Sequence, residues 1–233
     1  SMKAEEEEAL VDGEERRDII NFNGCLDCHD RLELHGGNRV IAAETEPGTV
    51  AMCIVCHNPN LSSSGNTFDK ADYDANPGDY NSSTVNTLAA YGDDPFAWPE
   101  AAQNFKDLVH GIHAAGMRET PYEHVRIRGG NAYGYDWSHA TFPADPSNCS
   151  KCHVSDSYEM DEIPAEALKS TIVTGVPTTR DEALAVRDDV PNDEDMVLSP
   201  TMAACTSCHD GAAVAIHASQ NGGVMGPRVT PAP

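Results

Sequence analysis

Apolar residues lie along this 233-residue chain in short bursts, and long periodic runs are absent. One stretch stands apart. Phe105, Leu108, Val109 and Ile112 recur at the spacing of a helix face, which predicts an amphipathic helix over residues 99–115, with Pro99 and Glu100 suited to its first turn. A second helix is expected to open at Ser199-Pro200, and a third to follow over 212–217 and stop at Gly222-Gly223. A short one is expected over 181–187. The remainder is polar and punctuated by Gly and Pro. Residues 58–97 read as one long polar surface loop, 120–147 as loop, and 154–200 as an acidic, proline-broken segment. The expected fold is therefore mostly irregular with short α-helices and little or no sheet, in a single domain over 1–233. Residues 1–20, with Glu5-Glu6-Glu7-Glu8, form an acidic N-terminal arm. Asp72 to Asp79 reads as turn chemistry rather than a calcium loop, because its glycine is displaced by one position and Ser83 stands where a bidentate Glu belongs.

Such a pattern leaves little material for an interior. Hydrophobic residues make up 39% and aromatics 6%, thin for a core of this size. The cysteines explain the shortage. All eight fall in four Cys-x-x-Cys-His motifs: Cys25/Cys28/His29, Cys53/Cys56/His57, Cys149/Cys152/His153 and Cys205/Cys208/His209. The pattern is that of c-type haem attachment, in which two thiols add to the haem vinyl groups and the adjacent His binds iron. Zinc sites do not require His directly after every second Cys, and four two-residue disulfide loops would constrain very little. Four covalently attached haem c groups are expected, forming the core with the protein wrapped around them.

Six histidines remain: His35, His110, His113, His124, His139 and His217. His110 and His113 lie three apart on the expected helix, so they point to nearly the same face and suit two adjacent haems. His35 precedes Gly36-Gly37, where backbone can approach a porphyrin closely, and His217 ends a short apolar helix. These four are the expected distal ligands to iron. His124 and His139 read as supporting or surface residues, and Met52 and Met202 as packing rather than ligands.

Charge narrows the partners. With 15 basic and 38 acidic residues, the formal charge is −23. Phosphate binding needs a basic surface, so nucleic acid is excluded, and anionic membrane surfaces are disfavoured. No apolar run approaches a transmembrane span. Covalent haem attachment takes place outside the bacterial cytoplasm, and no signal peptide is present in the chain. An exported protein is expected, extracellular or on the outer cell surface, with the periplasm as the other compartment.

The chain resembles a haem module of the OmcA/MtrC family of outer-surface multihaem cytochromes. The resemblance is carried by Arg16-Arg17-Asp18-Ile19-Ile20 before the first motif, Leu34-His35-Gly36-Gly37-Asn38-Arg39, Cys56-His57-Asn58-Pro59 and the 105–115 segment with His-x-x-His. It continues through Phe142-Pro143 before Asn148-Cys149, Cys152-His153-Val154 with Tyr158, the 199–205 segment, and His217 followed by Asn221-Gly222-Gly223. The resemblance implies bis-histidine haems, with His35, His110, His113 and His217 at the distal positions. It also implies extracellular electron transfer to other redox proteins or cytochromes, minerals or soluble shuttles. Family members usually carry ten haems in two modules, each flanked by a β domain; this chain has neither a β domain nor a fifth motif. The expected function is an electron carrier rather than an enzyme. Two alternatives are a subunit that self-associates into a conductive cytochrome filament, and a haem reductase with an open iron site.

Overall fold

A computed structural model describes residues 18–35, 39–42, 51–62, 70–82, 84–86, 102–128, 131–164, 167, 169–173 and 195–228. Two compact units emerge, one from residues 1–49 and 149–162, the other from 50–148 and 163–233.

The first unit contains helix α1 (Phe22–Leu26), strands β1 (Arg31–Leu34) and β2 (Arg39–Ala42), and 3₁₀ turns at Cys149–Lys151 and Met160–Glu162. The two strands form an antiparallel hairpin with Leu34 opposite Arg39. Backbone pairing joins its distant segments: Asn21 N–H donates to the Cys152 carbonyl (2.8 Å) and Val154 N–H to the Ile19 carbonyl (3.1 Å). Ile20 and His153 thereby form an isolated antiparallel bridge. Glycine at position 24 is what lets α1 come this close, since a Cβ there would run into the Lys151 carbonyl oxygen.

The second unit contains α2 (Ala51–Cys56), α3 (Lys70–Ala75), α4 (Phe105–His113), α5 (Pro200–Cys208) and α6 (Ala212–Gln220). Its strands are the hairpin β3 (Glu123–Arg128) and β4 (Asn131–Asp136), and an antiparallel sheet of β5 (Ser170–Val173), β6 (Met196–Leu198) and β7 (Met225–Pro227) in that order. Helix α4 begins where the Asn104 side chain accepts from Asp107 N–H, and α5 where Ser199 accepts from Met202 N–H. Both are N-caps that satisfy an otherwise unbonded first-turn amide. Helix α4 packs on α5, and α5 on α6. Leu198, Met202, Ala203 and Ala218 form the core there, with Cys205 against them. Gly222, at φ +87°, ends α6 in the left-handed region.

Short helices in an irregular chain match the sequence expectation, and the helices at Ser199-Pro200 and after Gly211 fall where they were placed. Sheet is limited to these small antiparallel pieces among the described residues. Three details differ. Residues 120–147 are not all loop, because 123–128 and 131–136 pair as two antiparallel six-residue strands. The 58–97 segment carries α3 and a 3₁₀ turn at Pro77–Asp79. Helix α4 starts at Phe105, five residues after Glu100, because Asn104 supplies the cap. The expectations for residues 1–17, for the glycines of 36–37 and for a helix over 181–187 lie outside the described residues.

Candidate functional site: four attachment motifs and their histidines

The four motifs share one backbone hydrogen bond. In each, the His N–H bonds the carbonyl of the first Cys: His29 to Cys25 (3.0 Å), His57 to Cys53 (2.8 Å), His153 to Cys149 (3.0 Å) and His209 to Cys205 (2.9 Å). This is a helical i to i−4 bond. It holds the two thiols three residues apart, on one side of a turn, and starts the histidine at the turn's end. In the second and fourth motifs both cysteines lie within a helix, α2 and α5. In the first, Cys25 lies in the last turn of α1, which ends at Leu26; in the third, Cys149 begins a 3₁₀ turn. None of the eight cysteines is in a disulfide. Among the described residues no three His, Cys, Asp or Glu side chains gather as a metal cage. Burial raises the thiol pKa of Cys53 and Cys152, while Cys28, Cys56 and Cys149 are exposed.

Each unit holds two motifs. In the first unit the opening and third motifs stand back to back through the 19–21 and 152–154 pairing, and Lys151 Nζ reaches Asp27 at 2.6 Å. The Asp27 carboxylate raises the Lys151 pKa through that hydrogen bond. In the second unit the second motif runs onto the start of α4: Phe105 N–H donates to the His57 carbonyl (2.9 Å), and Gln103 N–H to that of Leu61 (2.9 Å). The fourth motif lies on α5, packed against α4. Sequence order groups the motifs as first with second and third with fourth; the fold groups them differently.

Two histidines have a nitrogen assigned by their neighbours. His57 Nδ1 lies 2.9 Å from the Gln103 carbonyl, and His113 Nδ1 lies 2.7 Å from the Val109 carbonyl. A carbonyl only accepts, so Nδ1 carries the proton, and the lone pair of the neutral ring is on Nε2. A ring that donates through one nitrogen to a backbone carbonyl and presents the other is the arrangement used by metal-bound histidine. The edge of Phe142 further fixes His113, with ring centroids 5.6 Å apart.

The other candidates are more varied. His110 is half-buried on α4 beside His113. His35 follows β1 at φ +57°, exposed and in a conformation uncommon for a non-glycine residue. His217 is exposed near the end of α6, where the Asn221 amide donates to its carbonyl (2.9 Å) and stands 3.4 Å from its Nε2. His139 is 93% exposed and faces Asp136. His124 packs edge-on to Tyr122 (4.8 Å) and Trp137 (5.7 Å).

Helix α4 bears most directly on whether a porphyrin fits. Its buried positions are Asp107, Gly111 and the following Ala114, spaced four and three apart on one face. Tyr122 lies on that face, and a Cβ at position 111 would run into its ring. Burial raises the Asp107 pKa, and burial followed by the Asp107 charge raises that of Tyr122. The apolar stripe of Phe105, Leu108, Val109 and Ile112 is on the other side and only half-buried. Among the described residues protein packs most closely on the polar and small face, and the apolar face, flanked by His113, is less completely covered and suits a large flat apolar group. A porphyrin meets that description, and the thiol pairs meet its vinyl chemistry. The donor set and this face both fit haem.

Over residues 17–231 the chain matches the profile of a protein family described as outer membrane cytochrome MtrC/MtrF-like, domains II/IV. It belongs to this family. Searches of curated proteins and of solved structures returned no match. Membership in the MtrC/MtrF-like family makes the chain an outer-membrane cytochrome module, with haem c as its prosthetic group and electron transfer at the outer surface as its role. No helix among the described residues is long and apolar enough to cross a membrane.

Proposed function

We propose that this MtrC/MtrF-like module is an electron carrier with four bis-histidine haems. The observation that carries the reading is the turn shared by all four motifs, each closing His N–H onto the first Cys carbonyl within 2.8–3.0 Å. Cys25/Cys28, Cys53/Cys56, Cys149/Cys152 and Cys205/Cys208 form the thioether links, and His29, His57, His153 and His209 supply the proximal nitrogens. His35, His110, His113 and His217 supply the distal ones. Bound haem contributes one-electron chemistry at potentials set largely by its axial ligands.

The chain's own residues hold and orient. The Gln103 and Val109 carbonyls fix the His57 and His113 tautomers, so that Nε2 presents its lone pair without reorganisation. Back-to-back packing of the first and third motifs keeps those attachment sites adjacent, and α4 gathers the second and fourth. Spare histidines outnumber the four irons, which argues against an open, substrate-binding iron. With a formal charge of −23, favoured partners present cationic or neutral docking faces: other cytochromes, mineral surfaces or soluble shuttles.

Intact mass and pyridine haemochrome absorbance of the purified holoprotein test this count. Four haems per chain is the expected result. Fewer than four, or cyanide binding by the native oxidised protein, overturns the reading, and cyanide binding directs attention to reductase chemistry.

A further inference from the structure

Arg118 follows the 3₁₀ turn Ala115–Met117 and lies 87 positions before Cys205 in the sequence. No motif marks it. Yet its guanidinium sits on the C-terminal end of α5, where the fourth motif ends. Nη1 donates to the carbonyls of Ser207 (2.5 Å) and Thr206 (3.2 Å). These belong to the last turn of α5, whose carbonyls lack helical partners and carry the negative end of the helix dipole.

Nη2 stands 3.4 Å from the Asp210 carboxylate, the residue directly after His209. The pair is largely withdrawn from water, with side-chain exposures of 13% for Arg118 and 10% for Asp210. The guanidinium carbon lies 5.1 Å from the centre of the Tyr122 ring, a cation–π contact. Asp210 in turn accepts from the N–H groups of Glu119 and Thr120, both at 2.8 Å. The turn after α4 is thus locked onto the fourth motif by one cation, one anion and backbone bonds in both directions.

We propose that Arg118 and Asp210 form a charge clamp that positions Cys208-His209 and sets the reduction potential of the haem held at Cys205–His209. Arg118 acts as a positioning residue through α5 and Asp210, and as a fixed positive charge in a poorly screened setting. A nearby cation favours the added electron and a nearby anion opposes it. Breaking the pair from either side therefore has opposite consequences. This inference rests on the four-haem reading above.

Spectroelectrochemical titration of the holoprotein and of Arg118→Gln, Arg118→Lys and Asp210→Asn tests it, with haem content measured by intact mass for each. In Arg118→Gln, which leaves Asp210 uncompensated, one titrating component shifts downward. The expected size is on the order of tenfold in its reduction equilibrium, or about 59 mV for a one-electron couple. Asp210→Asn shifts the same component upward, and Arg118→Lys, which keeps the charge, moves it less than Gln does. Curves that superimpose on the parent, or shifts of the same sign in the Gln and Asn variants, overturn the clamp. Should Arg118→Gln fail to mature, Asp210→Asn decides alone, since it retains the guanidinium and its carbonyl bonds. A parent protein carrying fewer than four haems is instead a failure of the underlying reading, and the mass separates the two cases.

Discussion

The two units hold the same number of attachment motifs and are built in different ways. Among its described residues the first unit buries only Phe22 and Gly24, and is joined by backbone pairing of 19–21 with 152–154. The second buries Leu198, Met202, Ala203 and Ala218 in one cluster and adds the ring group of Tyr122, His124, Tyr135 and Trp137. Protein in the first unit therefore meets protein mainly through backbone edges among the described residues. Protein in the second supplies a core of its own. On the proposed four-haem reading, attached groups matter most to stability where fewer side chains are buried.

The largest effect that sharpens this contrast is loss of attachment. Replacing Cys25, Cys28, Cys149 and Cys152 by Ser is expected to remove two haems and to abolish amide protection across 19–35 and 149–162. Replacing Cys205 and Cys208 is expected to remove one haem while protection persists across 195–207. Hydrogen exchange read by mass spectrometry distinguishes the two, and equal loss in both units breaks the comparison.

Next comes the protein core. Met202, 1% exposed, is expected on truncation to Ala to cost about 2–5 kcal/mol, seen as a lowered melting temperature and faster exchange confined to the second unit. Gly24→Ala is expected to cost about 1–3 kcal/mol by forcing α1 away from Lys151, with faster exchange confined to the first.

Smaller still is a pH effect in the second unit. The buried Asp107 carboxyl has its pKa raised by desolvation, against the opposing influence of Asn104, Lys106 and Ser170. A carboxyl with a raised folded pKa gives stability that is complete below its unfolded value and lost as pH climbs through the folded one. Asp107→Asn should therefore flatten the decline in melting temperature as pH rises from about 4. An unchanged slope contradicts that assignment. Lys151→Ala removes an exposed ion pair and should leave the melting temperature of the first unit unchanged within error.

What the sequence made legible follows from which features are local. Four Cys-x-x-Cys-His motifs are unmistakable because thioether chemistry dictates their spacing. Ser199-Pro200 announces α5 because capping uses adjacent residues, and Asn104 was equally readable as the cap of α4. The β3–β4 hairpin also has a signal in the sequence, Gly129-Gly130 between alternating segments with Val125 and Ile127. Pairing of the first motif with the third is another matter. It is made by backbone groups of residues more than a hundred positions apart, and backbone bonds leave little imprint on side-chain pattern. Arg118 belongs to the same class, as its partners are mostly carbonyls. Helix α4 teaches a different lesson: its apolar stripe was legible, but among the described residues its most buried face is the one bearing Asp107 and Gly111.

Near-infrared magnetic circular dichroism of the fully oxidised holoprotein, scaled to its haem content, tests the central claim most directly. Four low-spin irons, all with the bis-histidine charge-transfer band, are the result predicted from His35, His110, His113 and His217 as distal ligands. A high-spin iron, or a histidine–methionine band from any of the four, contradicts it.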